Sequence, residues 1–155
     1  MKTLINVIPM LAALSMLATA ADKPNFSGDW TMDADKSTFG PMPPPTSMTR
    51  KVTHEDPSVT VVQAQSGPQG DQNTTLKYLT DGKETTNNFM GQDVKSNGKW
   101  EGEKLVFTTK ADFGGAEVKL VDTWSLSADG KVLTDILHIV SPQGEFDITY
   151  VLNKK

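Results

Sequence analysis

Three side chains in this sequence stand where a charge or an imidazole would interrupt an apolar surface: Arg50, Asp122 and His138. With a period of two, Val118, Leu120, Trp124 and Leu126 share one face of a strand, and Asp122 sits among them on that face. Met48 and Val52 share a face with Arg50 and His54. Val132, Thr134, Ile136 and Val140 line up with His138, while Leu133, Leu137 and Ile139 make the opposite face nearly as apolar. An unpaired charge in an apolar enclosure is costly, so an inward Asp122 or Arg50 must find a counter-charge, water or a polar group of a ligand. The alternative for either residue is a bulge that reverses side-chain parity, or a place at a mouth with its head in solvent.

Machinery for bond-making is missing. Asp33-x-Asp35-x-Ser37 begins like a calcium loop, but Thr38 stands where that loop needs Gly and Pro44 where it needs Glu. No G-x-S-x-G, H-E-x-x-H, phosphate-binding loop or C-x-x-C occurs. Two histidines and no cysteine leave little for a nucleophile-base pair. His138 has no second ligand at useful spacing, which favours an ordinary hydrogen-bonded histidine over a metal or haem ligand. The expectation is therefore no catalytic residue, no metal and no cofactor. Asn25-Phe26-Ser27 and Asn73-Thr74-Thr75 match glycosylation acceptors, a match expected by chance.

The elements that must position these residues begin after a leader. Met1-Lys2 gives a positive start, Leu4 to Leu17 is mostly apolar, and Ala18-Thr19-Ala20 has the small-x-small form of a cleavage site. Residues 1–20 thus read as a signal peptide, too short and too interrupted by Asn6, Pro9 and Ser15 for a membrane span. Export to a periplasm or the cell exterior is the expectation, without disulfides, since cysteine is absent. The remaining residues suit one domain. The net charge is −4 for the whole chain, with no basic run, which argues against nucleic acid and stable membrane insertion as partners and leaves a protein partner open.

Residues 21–47 hold a first strand and then "DADKSTFGPMPPPTS", whose prolines exclude a helix interior or a central strand. An ordered, polyproline-like strap is expected there in preference to a disordered linker, because Phe39 and Met42 give it something to bury. From Met48 to residue 155 the chain alternates apolar and polar residues between turn signals such as Asp81-Gly82, Met90-Gly91 and Asp129-Gly130. Asp-Gly is the strongest two-residue hairpin signal among them. The predicted strands fall at 28–32, 48–54, 58–66, 71–80, 83–89, 91–100, 103–112, 115–127, 131–141 and 144–153. With no crossover helix, each must pair antiparallel with its sequence neighbours. Such a meander removes its edges by curling into a closed barrel, so the fold class is an all-β, up-and-down antiparallel barrel of about eight to ten strands. Gly28 then lets the chain pass closely at the barrel's end, and Trp30 plugs that end against Tyr150 or Leu152.

"FSGDWTMDADKSTF" resembles the opening of the calycins, the superfamily of lipocalins and fatty-acid-binding proteins, whose first strand carries Gly-x-Trp. "KWEGEKLVFTTK" is similar to the Trp-acidic-Gly hairpins of the fatty-acid-binding branch, and "DGK" recurs at Asp81 and Asp129. S-G-x-W followed by D-x-x-K-S-x-F-G-P-x-P also looks like a group of small exported bacterial proteins described as lipocalin-like. Two departures stand out. The Pro-rich strap occupies the place of the fatty-acid-binding proteins' helix-turn-helix lid, and "DITYVLNKK" keeps Tyr150 but lacks the Arg of their carboxylate-gripping Arg-x-Tyr.

The function expected is a non-enzymatic exported barrel that binds or carries a small hydrophobic or amphipathic molecule, a lipocalin-like reading. Trp124, Asp122, Ile136, Phe107 and Tyr150 are the expected lining, with Arg50 a candidate for an acidic head group. One rival is a barrel filled by its own aromatic side chains that acts as an envelope interaction module through its outer face or strap. A second is a haem or small-molecule enzyme using His138.

Overall fold

The computed structural model describes residues 22–155. The leader expected over 1–20, with its cleavage point before Ala21, lies outside the described residues. Ten antiparallel strands follow in chain order: β1 (Gly28–Met32), β2 (Ser47–Glu55), β3 (Ser58–Gly67), β4 (Gly70–Leu79), β5 (Thr85–Phe89), β6 (Gln92–Glu101), β7 (Lys104–Asp112), β8 (Glu117–Leu126), β9 (Val132–Ser141) and β10 (Gly144–Lys154). They make one sheet in the order β4-β3-β2-β1-β10-β9-β8-β7-β6-β5. The first strand meets the last, with Trp30 opposite Lys154 on one side and opposite Arg50 on the other. No helix interrupts the described residues, and the sheet is rolled into a nearly closed lipocalin-like barrel.

Closure fails in one place. β4 and β5 are consecutive in the chain yet form the two edges of the sheet, which corrects the expectation that every strand pairs with its sequence neighbour. The seam is held by side chains. Asn87 on β5 accepts from the backbone N–H of Lys77 (2.7 Å) and donates to the Lys77 carbonyl (2.9 Å), and Thr85 Oγ1 donates to that carbonyl at 2.7 Å. Nearer the base, Gly82 N–H donates to the Gly98 carbonyl at 2.9 Å. A Cβ on Gly98 would stand 3.0 Å from the Leu79 carbonyl oxygen and 2.9 Å from the Phe107 ring, so a bare backbone is what lets β6 close on the end of β4. Asp81-Gly82 therefore lies in a longer connection at the seam. The two-residue turn with positive φ at both positions is Met90-Gly91 (52° and 80°), between β5 and β6.

The base of the barrel explains the Phe-x-Gly-x-Trp opening. Phe26 and Trp30 are fully buried, and the Trp30 indole N–H donates to the Phe26 carbonyl at 3.1 Å. Phe26 N–H in turn donates to His54 Nδ1 at 3.2 Å, while Ser27 Oγ accepts from the His54 backbone N–H at 2.8 Å. Gly28 has φ +147°, and a Cβ there would fall 2.6 Å from the Lys154 side chain. Trp30 belongs to the same buried cluster as Leu152, with Tyr150 packed against it, as the sequence predicts.

The strap is ordered along β10. Thr38 exchanges both backbone hydrogen bonds with Thr149 (2.8 and 2.9 Å), Phe39 packs edge-on against Tyr150 at 5.8 Å, and Thr46 N–H donates to the Ser66 carbonyl at 2.8 Å. Pro45 is buried, but Met42 is 45% exposed, so Phe39 and Pro45 anchor the strap where Phe39 and Met42 were expected to.

Candidate functional site

Strand register stacks the inward side chains in rows. Leu105, Trp124, Asp135 and Tyr150 form one row across β7 to β10; Phe107, Asp122, Leu137 and Ile148 form the next; Thr109, Leu120, Ile139 and Phe146 lie beyond it towards the hairpin tips. Exposure changes along that direction. Leu105, Phe107 and Asp135 have no accessible surface, whereas Asp122, Leu137, Leu120, Ile139 and Phe146 are only half-buried although they face into the ring. On the opposite wall Gln63, Gln65, Thr74 and Leu76 are half-buried too. In those same rows Ile148 and Thr109 are buried, so the half-burial is confined to part of the upper interior.

A polar tier marks the boundary. Arg50, the chain's only arginine, projects inward from β2; its Nη1 donates to Asp135 Oδ2 at 2.7 Å and its Nε donates to Gln63 Oε1 at 2.7 Å. The guanidinium carbon lies 5.7 Å from the Trp124 ring centroid and 5.2 Å from that of Tyr150, in cation–π range of both. Burial opposes the Arg50 charge, but the Asp135 charge and hydrogen bond outweigh it and hold Arg50 above its ordinary pKa. Asp135 is lifted by burial and pulled back down by Arg50, the net direction being up. Asp122 is raised well above the ordinary carboxyl value, first by burial and then by the Asp135 charge, with Arg50 giving partial relief. Arg50 Nη1 is bonded to Asp135, which leaves Asp122 as the carboxyl without a bonded cation. Burial likewise raises Tyr78 and Tyr150. Two buried polar atoms at the tier, Trp124 Nε1 and Asp135 Oδ1, make no completed hydrogen bond, although the indole is near enough to hold the Asp135 pKa down slightly.

Of the residues singled out in the sequence, Arg50, Asp122, Trp124, Phe107 and Tyr150 come together here. Phe107 stacks on Tyr78 at 4.1 Å and meets Trp124 edge-on at 5.1 Å, so it belongs to the packed floor beneath the tier. Ile136 does not join them. It is 42% exposed on the outer face of β9, because Leu133, Asp135, Leu137 and Ile139 are the inward residues of that strand. His138 is outward as well, with Nδ1 2.6 Å from Asp147 and Nε2 3.6 Å from Glu145, and reaches no interior group. Asp135 is the functional residue that the sequence reading missed. Its signal was its position as the one carboxylate on either face of β9, together with an inward Arg50 that needed a partner. Among the described residues, no group of three His, Cys, Asp or Glu is placed to hold a metal.

Solved structures resemble this barrel. The zebrafish ileal bile acid-binding protein, solved with cholic acid, superposes with a TM-score of 0.58 at 17% identity over 84% of this chain and 98% of its own. The wild-type fluorescent protein UnaG gives 0.58 at 19% identity over 84% and 97%. Human cRBP IV gives 0.58 at 15% identity over 85% and 99%. At these identities the likeness is one of fold, and the fold is that of the calycin barrels. No protein-family model matches the chain, and no curated protein matches it in sequence. The Arg that the resemblance placed two residues before Tyr150 is Ile148, yet an Arg–Tyr contact is present, with the guanidinium supplied across the ring from β2.

Proposed function

We propose that this chain, exported behind the leader of residues 1–20, holds a small apolar or amphipathic molecule in the upper half of its barrel and does not transform it. The observation that carries this reading is the half-burial of inward apolar residues such as Leu120, Leu137, Ile139 and Phe146 above a fully buried floor. Inward apolar surface left in contact with water is what a ligand of matching chemistry would cover, at a gain of about 25 cal/mol per Å². The tier of Arg50, Asp122 and Tyr150 at the bottom of that space supplies the few orienting polar contacts such sites use. The zebrafish relative in fold was solved with cholic acid, an amphipathic molecule of this kind. The aromatic side chains that would fill the ring in the rival reading concentrate at the base, with Phe146 inward nearer the tips, and the outward His138 gives no support to a haem enzyme. The test is to express the mature chain, extract it with organic solvent for mass spectrometry, and titrate the stripped protein with an environment-sensitive lipid probe. Recovery of a bound amphiphile and saturable probe binding are expected; an empty protein that is blind to the probe would overturn the proposal.

A further inference from the structure

We propose that the polar tier selects amphiphiles whose head group is uncharged and accepts hydrogen bonds, and that it discriminates against the matching carboxylate. This inference rests on the carrier reading above and names its ligand class. Three ionisable groups whose charges meet in the tier are Arg50 from β2, Asp122 from β8 and Asp135 from β9, with Tyr78 from β4 and Tyr150 from β10 as uncharged neighbours. One cation thus faces two acids. The cation is already engaged, since Nη1 is bonded to Asp135 and Nε to Gln63, both at 2.7 Å.

Asp122 has no such engagement. Its carboxyl makes no hydrogen bond among the described residues, faces into the ring and keeps contact with water. With Arg50 and Asp135 paired and Asp122 protonated, the tier carries no net charge and offers an O–H donor towards the accessible interior. The raised Asp122 pKa agrees with that assignment. An alcohol, amide or ester head accepts that hydrogen bond and leaves the tier neutral. A carboxylate head would bring an uncompensated negative charge beside Asp135, where low dielectric magnifies the repulsion, and could claim Arg50 only by displacing a bond already made.

The experiment is competition, at neutral pH, between an uncharged environment-sensitive lipid probe and three ligands of equal chain length: dodecanol, dodecanoate and dodecylamine. Dodecanol is expected to displace the probe at a concentration about tenfold or more below that needed for dodecanoate. Asp135→Asn releases Arg50 and is expected to shift the ranking towards dodecanoate by about tenfold. If Asp135→Asn does not fold, the ranking of the native chain decides alone. Dodecanoate or dodecylamine binding as well as dodecanol would overturn the head-group inference and leave the carrier reading standing. Failure of the probe itself to bind would remove the carrier reading, and this inference with it.

Discussion

The two halves of this barrel obey the same alternation of inward and outward residues but spend it differently. Around and below the Arg50–Asp135 pair Phe26, Trp30, Tyr78, Leu105, Phe107 and Leu133 are buried and mostly aromatic, and their rings interlock. Above it the inward positions include Leu120, Leu137, Ile139, Gln63, Gln65 and Thr74, which are half-buried, beside Met48, Ile148 and Thr109, which are buried. Aromatic side-chain volume is concentrated at one end, and the proposed ligand site lies towards the other. The charged pair lies at the junction, where it is dry enough to be strong and close enough to the open half to be reached.

Substitutions should separate the halves. Trp30→Ala removes the plug of the base and is expected to cost about 3–5 kcal/mol in urea unfolding, through lost burial and the cavity left behind. Asp135→Ala is expected to cost about as much, roughly 3–5 kcal/mol, because it strands Arg50 without its counter-charge; the double change Arg50→Met with Asp135→Leu should restore most of it. Asn87→Ala tests the seam. It deprives the Lys77 N–H of its partner and leaves the Lys77 carbonyl with Thr85 Oγ1 alone, and should cost about 1–3 kcal/mol, with faster amide exchange confined to β4 and β5.

The smallest effect concerns pH. The folded chain holds the Asp122 proton more tightly than the unfolded chain, whose carboxyl titrates near 3.8, so this group favours folding fully below that pH and loses its contribution as pH rises through the folded value. Asp122→Asn has no such loss. The variant should gain stability relative to the native chain as pH rises above 3.8, read from paired urea melts across pH. A constant difference would place an ionised Asp122 in water.

Much of the fold was legible because turns and alternation agree. The ten predicted strands match the ten observed to within a few residues, and β2 and β8 each show an apolar side in the sequence, although the sequence left open whether Arg50 and Asp122 turn inward. β9 shows no single apolar side. Leu133, Leu137 and Ile139 on one face balance Val132, Ile136 and Val140 on the other, and the choice between them is made by Arg50, which is 85 residues from Asp135 in sequence. Local periodicity carries no trace of a partner that distant, so it puts Ile136 in the lining, leaves the facing of His138 open and passes over Asp135. The seam escaped notice for a related reason: Asp81-Gly82 looks like a tight hairpin locally, while β4 and β5 are joined through Asn87 and Gly98, a matter of ring closure that no short window contains. In the strap, composition announced an extended segment but could not tell that Pro45 and not Met42 would be covered.

The most direct test of the division between a packed base and an open upper half is Leu120→Trp, measured by thermal melting and by titration with the lipid probe. An open upper half accommodates the added ring, so the melting temperature should move by less than about 3 °C while probe affinity falls by about tenfold or more. A melting temperature that drops as for an overpacked core, or a Leu120→Trp protein that binds the probe as the native chain does, would contradict the account.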